Sequence, residues 1–263
     1  MYSLINLMYR RMGYFDDQSG ILRRERRERE GWNEHLQNTR NFVIEAMQKK
    51  ECNSAAVLGS GWLLDVPVDE MSCYFKKLYL FDVCHPAAVR KQVKKLKNVE
   101  LQLCDISGFA RPVYHYVKKY RNRQNRPPIS LIQPEMDDRI PHFYEMLQTF
   151  DFVFSCNILN QLDILLIDYL ARFFDLSDEE IFDFRNNVQL RHIALLPRNR
   201  SCIVADYEEI TFTPEGKEIA RKTSVHHPIA QCETAKRWTW KFDTKMTYYD
   251  DKITFFEVFA SEI

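Results

Sequence analysis

The sequence lacks three features that would each indicate a particular class of protein. Its seven cysteines form no CxxC pair, and their odd number and wide spacing predict reduced thiols and no structural metal site. Lys plus Arg and Asp plus Glu both number 37, so no overall charge attracts nucleic acid or an anionic membrane. No apolar stretch approaches the ~18 residues of a membrane-spanning helix. We therefore predict a soluble cytoplasmic protein with no metal and no membrane partner.

The composition predicts one folded core preceded by a helical segment. Hydrophobic residues make up 45% of the 263 residues and aromatic residues 13%, which is ample material to bury. Residues 21–50 place apolar side chains such as Trp32 at helical spacing behind a charged run, so we predict an amphipathic helical segment with a break at Gly31. We expect residues 1–50 to pack as helices on a domain formed by residues 51–263.

Short apolar runs alternate with segments of helical character from residue 54 onward. Such runs are typical of parallel strands that are buried on both faces of a sheet. Alternation of strands and helices predicts a doubly wound sheet with right-handed crossovers. The five runs are SAAVLG, KLYLFD, VELQLCD, FDFVFSC and SCIVAD.

The chain departs from a minimal α/β unit in two places. A long segment separates the third and fourth runs, and we predict an insertion at about residues 108–140 that forms a loop or lid. Near the end of the sequence, RWTWKFDTKM and ITFFEVFASEI are joined by a short turn-like link, which predicts an antiparallel hairpin. The predicted fold class is therefore α/β, with a doubly wound, mostly parallel seven-stranded sheet and an antiparallel terminal hairpin.

The residues that follow the first two strands indicate a ligand that contains a nucleoside. Parallel α/β sheets bind ligands at the carboxyl ends of their strands. The first strand ends in Gly59-Ser60-Gly61, where glycine lets backbone N–H groups approach a ligand closely. The second ends in Asp82, twenty-one residues after Gly61, and a carboxylate at this spacing can accept hydrogen bonds from both hydroxyls of a ribose.

The third and fourth strands end in further residues suited to such a ligand. Asp105 can bind an adenine amino group, and the adjacent Ile106 can pack on the adenine ring. The fourth strand ends in Ser155-Cys156-Asn157. In this order, the segments VLGSG, LYLFD, LCDI and FDFVFSCNIL resemble the motifs of class I SAM-dependent methyltransferases, over about residues 54–162.

This resemblance implies S-adenosyl-L-methionine (SAM) as the cofactor and gives each matching residue a role. The glycine turn would line the methionine and ribose of SAM, and Asp82 would bind the ribose hydroxyls. Val83, Asp105 and Ile106 would surround the adenine, and the residues after the fourth strand would lie near the methyl group. The matching residues are Gly59, Ser60, Gly61, Asp82, Val83, Asp105, Ile106, Ser155, Cys156 and Asn157.

Two departures from the family pattern concern the cofactor turn and the acceptor. The family often has a third glycine where this chain has Trp62 or Leu63. Enzymes of this family that methylate exocyclic amines of bases often have Asn or Asp followed by Pro-Pro and an aromatic residue, and this chain has SCNIL instead. Small molecules, proteins and other RNA positions therefore stay open as acceptors.

A catalytic base is needed only where the acceptor must lose a proton in the reaction. Three residues are candidates for this role. His35 follows Trp32 by three residues on the N-terminal helical segment, where it can pack or reach over the cofactor cleft. His227 precedes Pro228 in a region that often faces the substrate in this fold, and Asp206 ends the fifth predicted strand.

We predict a SAM-dependent methyltransferase that acts on a small molecule. An RNA or protein methyltransferase and a non-catalytic or degenerate SAM-binding protein are alternatives. The basic clusters in PAAVRKQVKKLK and RNRQNR leave nucleic acid open as a partner. An NAD-dependent oxidoreductase is a further alternative that would share the glycine turn and Asp82. The sequence pattern of such enzymes has a third glycine where this chain has Leu64.

Overall fold

The strands that the structure describes form one sheet. The computed structural model describes residues 2–135 and 142–263. In this part of the chain the strands are β1 (Ser54–Leu58), β2 (Lys77–Asp82), β3 (Val99–Leu103), β4 (Phe152–Cys156), β5 (Ser201–Phe212), β6 (Glu218–Thr223), β7 (Lys236–Asp243) and β8 (Ile253–Glu262). They are ordered β3-β2-β1-β4-β5-β8-β7, and β6 pairs with β5 outside this path.

The five predicted parallel strands are all present and pair in parallel from β3 through β5. Successive side chains of a strand point to opposite faces of the sheet. In β1, Ala55 and Val57 belong to the core on one face, whereas Ala56 and Leu58 belong to the core on the other. An unbroken apolar run is therefore the pattern that a strand covered on both faces requires.

The helices cover both faces of the sheet. They are α1 (Tyr2–Met12), α2 (Tyr14–Arg27), α3 (Arg29–Met47), α4 (Val68–Tyr74), α5 (Ala87–Val93), α6 (Ala110–Tyr120), α7 (Phe143–Leu147), α8 (Ile164–Ala171) and α9 (Asp178–Leu195). Helices α3, α4 and α5 contribute to one core, and α7 contributes to the core on the opposite face. A third cluster joins α1, α6, α8 and α9.

The three N-terminal helices pass from one side of the molecule to the other. Met8 and Met12 of α1 are buried with α6 and α8, whereas Trp32 of α3 is buried with β7 and β8. The predicted break at Gly31 is wrong by three residues, because the helices are separated at Glu28. Gly31 lies inside α3, where an added Cβ would stand 2.6 Å from the carbonyl oxygen of Lys241, so glycine permits close contact with β7.

The terminal hairpin is confirmed, and the sheet contains one more strand than predicted. Strand β8 pairs antiparallel with both β5 and β7, so it lies between them. The additional strand, β6, pairs antiparallel with β5, and all six of its residues are exposed. Its lack of apolar periodicity explains why the sequence pattern missed it, although Pro214 and Gly216 mark the turn before it.

The predicted insertion begins as a helix and not as a loop. Val113 and Val117 on α6 are buried against Leu166 and Leu170 of α8, so its first half is part of the packed structure. The last positions of the insertion, 136–140, lie outside the described residues. The division into residues 1–50 and 51–263 stays a prediction.

All seven cysteines are free thiols, but their burial is mixed. Cys104, Cys156 and Cys202 are buried, whereas Cys52 and Cys73 are exposed. Within residues 2–135 and 142–263, no helix is long and apolar enough to cross a membrane. The same residues contain no group of three or more His, Cys, Asp or Glu side chains that could hold a metal ion.

Candidate functional site

A cavity of about 280 Å³ lies at the carboxyl ends of the parallel strands. Residues that follow β1, β2, β3 and β4 form its floor, and side chains of α2 and α3 form part of its cover. This is where a doubly wound sheet is expected to bind a ligand. Eight of the ten predicted cofactor residues line it: Gly59, Gly61, Asp82, Val83, Asp105, Ile106, Cys156 and Asn157.

The turn after β1 adopts backbone conformations that favour glycine. Gly59 has a φ of 82°, and a Cβ there would stand 2.0 Å from Cγ2 of Ile158. Gly61 has a φ of 47° and has open space where a Cβ would be. Leu63 also has a positive φ, 58°, at a position where the family often has its third glycine. Leu63 therefore adopts the left-handed backbone conformation although it is not a glycine.

Asp82 joins the glycine turn to the N-terminal helices. Its Oδ2 accepts a hydrogen bond of 2.8 Å from the backbone N–H of Gly61, and its Oδ1 accepts one of 3.2 Å from the side chain of Gln18. Burial raises the pKa of Asp82 to about 6, while the backbone N–H groups of Gly61 and Cys84 oppose the rise. Residue Val83 follows and also lines the cavity.

Asp105 has a structural role at the start of α6 in addition to its place in the cavity lining. Its Oδ1 accepts hydrogen bonds from the backbone N–H and hydroxyl of Ser107, and its Oδ2 accepts one of 2.8 Å from the backbone N–H of Ala110. Carboxylates are favourable at helix N-termini because N–H groups there lack partners. The adjacent Ile106 is buried and lines the cavity.

The residues at the end of β4 point in different directions. Ser155 does not line the cavity, and its hydroxyl lies 2.7 Å from Nε2 of the buried His192. Cys156 and Asn157 do line it, and the amide of Asn157 donates a hydrogen bond to Asp65. Strand alternation accounts for the difference between Ser155 and Cys156, since neighbouring side chains of a strand face opposite sides of the sheet. Ser60 of the first turn is likewise buried and outside the lining.

His35 is buried in the cavity wall and is not a surface residue. Its ring stacks on Trp240 with centroids 4.0 Å apart and planes 7° from parallel. Its Nδ1 lies 3.1 Å from Nε1 of Trp238, and its Nε2 lies 3.2 Å from the amide of Asn157. An indole N–H can only donate, so Nδ1 is the acceptor and Nε2 carries the proton. Burial lowers the pKa of His35 to about 3, which keeps the ring neutral.

Asp206 lies at an irregularity in β5 and not at the end of the strand. The register between β5 and β8 shifts between Asp206 and Glu208, and β5 continues to Phe212. The parallel ladder with β4 ends at Val204, which leaves Asp206 at the edge of the cavity. Its Oδ2 accepts a hydrogen bond from the amide of Asn160, and burial raises its pKa to about 7.

His227 is separated from the other two candidate bases. It is not part of the described lining of the cavity. Its Nδ1 accepts a hydrogen bond of 3.1 Å from the backbone N–H of Ile229 and caps the 3-10 helix Pro228–Gln231. The structure therefore brings His35 and Asp206 to the cavity and gives His227 a local structural contact.

The lining also contains residues of α2 that the sequence analysis did not single out. Tyr14, Gln18, Ile21 and Arg24 face the cavity. Their spacing of three or four residues places them on one face of the helix, and this spacing can be seen in the sequence. The indole N–H of Trp62 donates a 2.7 Å hydrogen bond to the backbone oxygen of Gln18, so this face is held directly over the glycine turn.

Comparison with known proteins finds distant structural similarity. No protein-family model and no curated protein matches the sequence. The chain is similar to the DhpI–SAH complex, at 12% identity over 98% of this chain and 97% of that chain, with a TM-score of 0.37. It is also similar to the N-methyltransferase NodS from Bradyrhizobium japonicum, at 10% identity over 86% and 96% of the two chains, with a TM-score of 0.37.

A third solved structure is 1,6-didemethyltoxoflavin-N1-methyltransferase from Burkholderia thailandensis. Its identity is 8% over 94% of this chain and 87% of that chain, with a TM-score of 0.41. The fold assignment depends instead on the strand order, in which β8 is inserted antiparallel between β5 and β7 at one end of a parallel sheet. The protein therefore has the class I methyltransferase fold that the sequence motifs implied.

Proposed function

We propose that the protein is a SAM-dependent methyltransferase that acts on a small molecule. The observation that carries this proposal is the convergence of four strand ends on one covered cavity. The glycine turn, Asp82, Asp105 and Asn157 come from distant parts of the sequence and line the same space. Their order along the sheet matches the order in which the sequence motifs predict contacts with successive parts of SAM.

The residues present are suited to this cofactor. The open space beside Gly61 leaves its backbone accessible to a ligand, and the Asp82 carboxylate lies directly behind it. Bound SAM would supply a methyl group on a positively charged sulfur, ready for in-line transfer. The chain's own contribution is to hold the acceptor in line with that group, and such alignment can account for much of the rate acceleration.

A small acceptor agrees best with the enclosure of the cavity. Side chains of α2 and α3 cover it, and the rings of Trp32, Trp240 and Phe256 contact one another and form an apolar part of its lining. A nucleic-acid acceptor would favour a basic surface leading to this point. The basic residues of the two clusters found in the sequence do not belong to the described lining: Arg90, Lys91, Lys94, Lys95, Lys97, Arg121, Arg123 and Arg126.

Parallel calorimetric titrations with SAM, S-adenosylhomocysteine and NAD test the cofactor assignment. We expect micromolar binding of SAM and S-adenosylhomocysteine and no binding of NAD, because Leu64 lines the cavity where a dinucleotide-binding enzyme expects glycine. Binding of NAD alone would replace the proposal with an oxidoreductase. Binding of none of the three would favour a non-catalytic protein with this fold.

A further inference from the structure

The carboxylate of Asp206 has an unused acceptor atom in the cavity wall. The side chain is buried, with 2% of the residue exposed. Its Oδ2 is occupied by the amide of Asn160, but its Oδ1 has no hydrogen-bond partner. The Oδ1 of Asn160 has no partner either, and both residues line the cavity. Two neighbouring acceptors are thus left without a donor.

Buried polar atoms without partners are unfavourable and rare, so each needs an explanation. A ligand with more than one N–H would satisfy both oxygens, because one proton could point to Asp206 and another to Asn160. An alcohol has a single O–H and could satisfy only one of them. A carboxylate has no proton to donate and would be repelled by the ionised form of Asp206.

The charges around the cavity also favour a cationic ligand. Among the described lining residues, carboxylates outnumber the basic groups: Asp17, Asp65, Asp82, Asp105 and Asp206 stand against Arg24. The guanidinium of Arg24 lies over the rings of Phe242 and Tyr248, 4.6 and 5.0 Å from their centroids. The aromatic rings of Trp240 and Phe256 in the same lining can in addition attract a cation through their faces.

We propose that the methyl acceptor is an amine whose nitrogen is bound by Asp206 and Asn160. This inference rests on the proposed function and names its substrate class. An amine in water is mostly protonated and has no lone pair for reaction. At this site Oδ1 of Asp206 takes one proton from the ammonium nitrogen, and the electron pair of the broken N–H bond stays on nitrogen as its lone pair. The Oδ1 of Asn160 accepts a remaining N–H and fixes the direction of that lone pair.

The raised pKa of Asp206 supports this role. Burial raises the pKa of Asp206 to about 7. A group with a pKa in this range can both accept and release a proton near neutral pH, whereas an ordinary carboxyl, with its lower pKa, stays ionised. His35 does not compete for the proton, because its Nδ1 is occupied by the indole of Trp238 and its Nε2 already carries a proton.

Direct binding measurements test the amine without requiring turnover. The probes are phenethylamine, 2-phenylethanol and 3-phenylpropionate, which share an aromatic ring and differ in the polar group. Binding is followed by tryptophan fluorescence, since Trp32, Trp62 and Trp240 line the cavity. We expect phenethylamine to bind the wild-type protein at least about ten-fold more tightly than either matched compound. Equal binding of the three, preference for the carboxylate, or no binding of the amine at millimolar concentration would overturn the proposal.

The variant Asp206→Asn keeps the size of the side chain and removes its charge. It should weaken phenethylamine binding by at least about ten-fold and leave 2-phenylethanol binding unchanged. The matched control is Asp183→Asn on the exposed side of α9, which should change neither. If Asp206→Asn binds the amine as well as the wild type does, the carboxylate is not the amine site.

Titration of the same variants with S-adenosylhomocysteine separates this inference from the proposed function. We expect Asp206→Asn to bind S-adenosylhomocysteine within two- to three-fold of the wild type. A large loss of that binding with unchanged amine binding would assign Asp206 to the cofactor and overturn the inference. If the wild type binds the amine selectively but not S-adenosylhomocysteine, the proposed function fails and the amine site stands.

Discussion

The backbone N–H of Gly61 donates a 2.8 Å hydrogen bond to Oδ2 of Asp82. This contact ties the turn after β1 to the carboxylate after β2, so two separate sequence motifs form one unit. The side chain of Gln18 reaches the other carboxylate oxygen from α2. The N-terminal helices therefore contact the same group that is expected to bind the ribose of the cofactor.

Replacing Asp82 with alanine should weaken S-adenosylhomocysteine binding about 10- to 100-fold, because the ribose contact and the restraint on Gly61 are lost together. The measurement is calorimetric titration. Asp151→Ala is the matched control, since Asp151 also accepts a backbone N–H, that of Ser54 at the opposite end of β1. An equal loss of affinity in both variants would mean that the effect is a general loss of stability.

Two helical glycines should respond in opposite ways to alanine. In Gly20→Ala the new Cβ has only the flexible end of Arg23 nearby, at 4.0 Å, so higher helix propensity should raise the free energy of unfolding by about 0.5–1 kcal/mol. In Gly31→Ala the Cβ would meet the backbone of Lys241 at 2.6 Å, and we expect a loss of about 1–3 kcal/mol. Urea unfolding measures both, and stabilisation by Gly31→Ala would contradict the close packing of α3 on β7.

The variant Asp206→Asn should also change how stability depends on pH. The folded-state pKa of Asp206 is raised to about 7, so the folded protein holds a proton that the unfolded chain releases near pH 4. The stability linked to this proton is present at low pH and is lost as the pH rises toward 7. Between pH 5 and pH 8 this amounts to about 2–3 kcal/mol, and the variant should not show that part of the loss.

Urea unfolding of the wild type and the variant at both pH values measures this difference. Asp82 contributes a loss in the same direction, and the buried His35 and His192, whose pKa values are lowered, contribute the opposite trend. These contributions are common to both proteins and cancel in the comparison. Identical pH dependence in the two proteins would show that Asp206 ionises at an ordinary pKa.

The ring of His35 should stay neutral with its proton on Nε2 from pH 8 down to pH 5. Burial lowers its pKa to about 3, and the indole of Trp238 occupies Nδ1. Nitrogen-15 NMR of the imidazole distinguishes the two neutral forms and the cation. Trp238→Phe is the control, since it removes the donor and should let the proton move to Nδ1. A titration midpoint near 6.5 in the wild type would contradict the assignment.

The sequence was most informative about the residues that end the parallel strands. Gly59, Asp82 and Asp105 could be predicted to line the cavity because this kind of sheet binds ligands at the carboxyl ends of its strands. Ser155 was misplaced by the same logic, because one step along a strand turns a side chain to the other face. His227 was grouped with the site because its region often faces the substrate in this fold, whereas its contact is a local cap.

The order of the strand motifs along the chain, the terminal hairpin and the edge of the sheet where a ligand is expected could all be predicted from the sequence, because hydrophobic period and strand ends are local properties. The residues that cover and complete that edge come from distant parts of the chain and could not be predicted from local pattern. Gln18 and Arg24 are brought there by packing of α1 and α3 on opposite sides of the molecule. Asp206 and Asn160 meet across 46 positions of the chain, and no local pattern encodes such a contact.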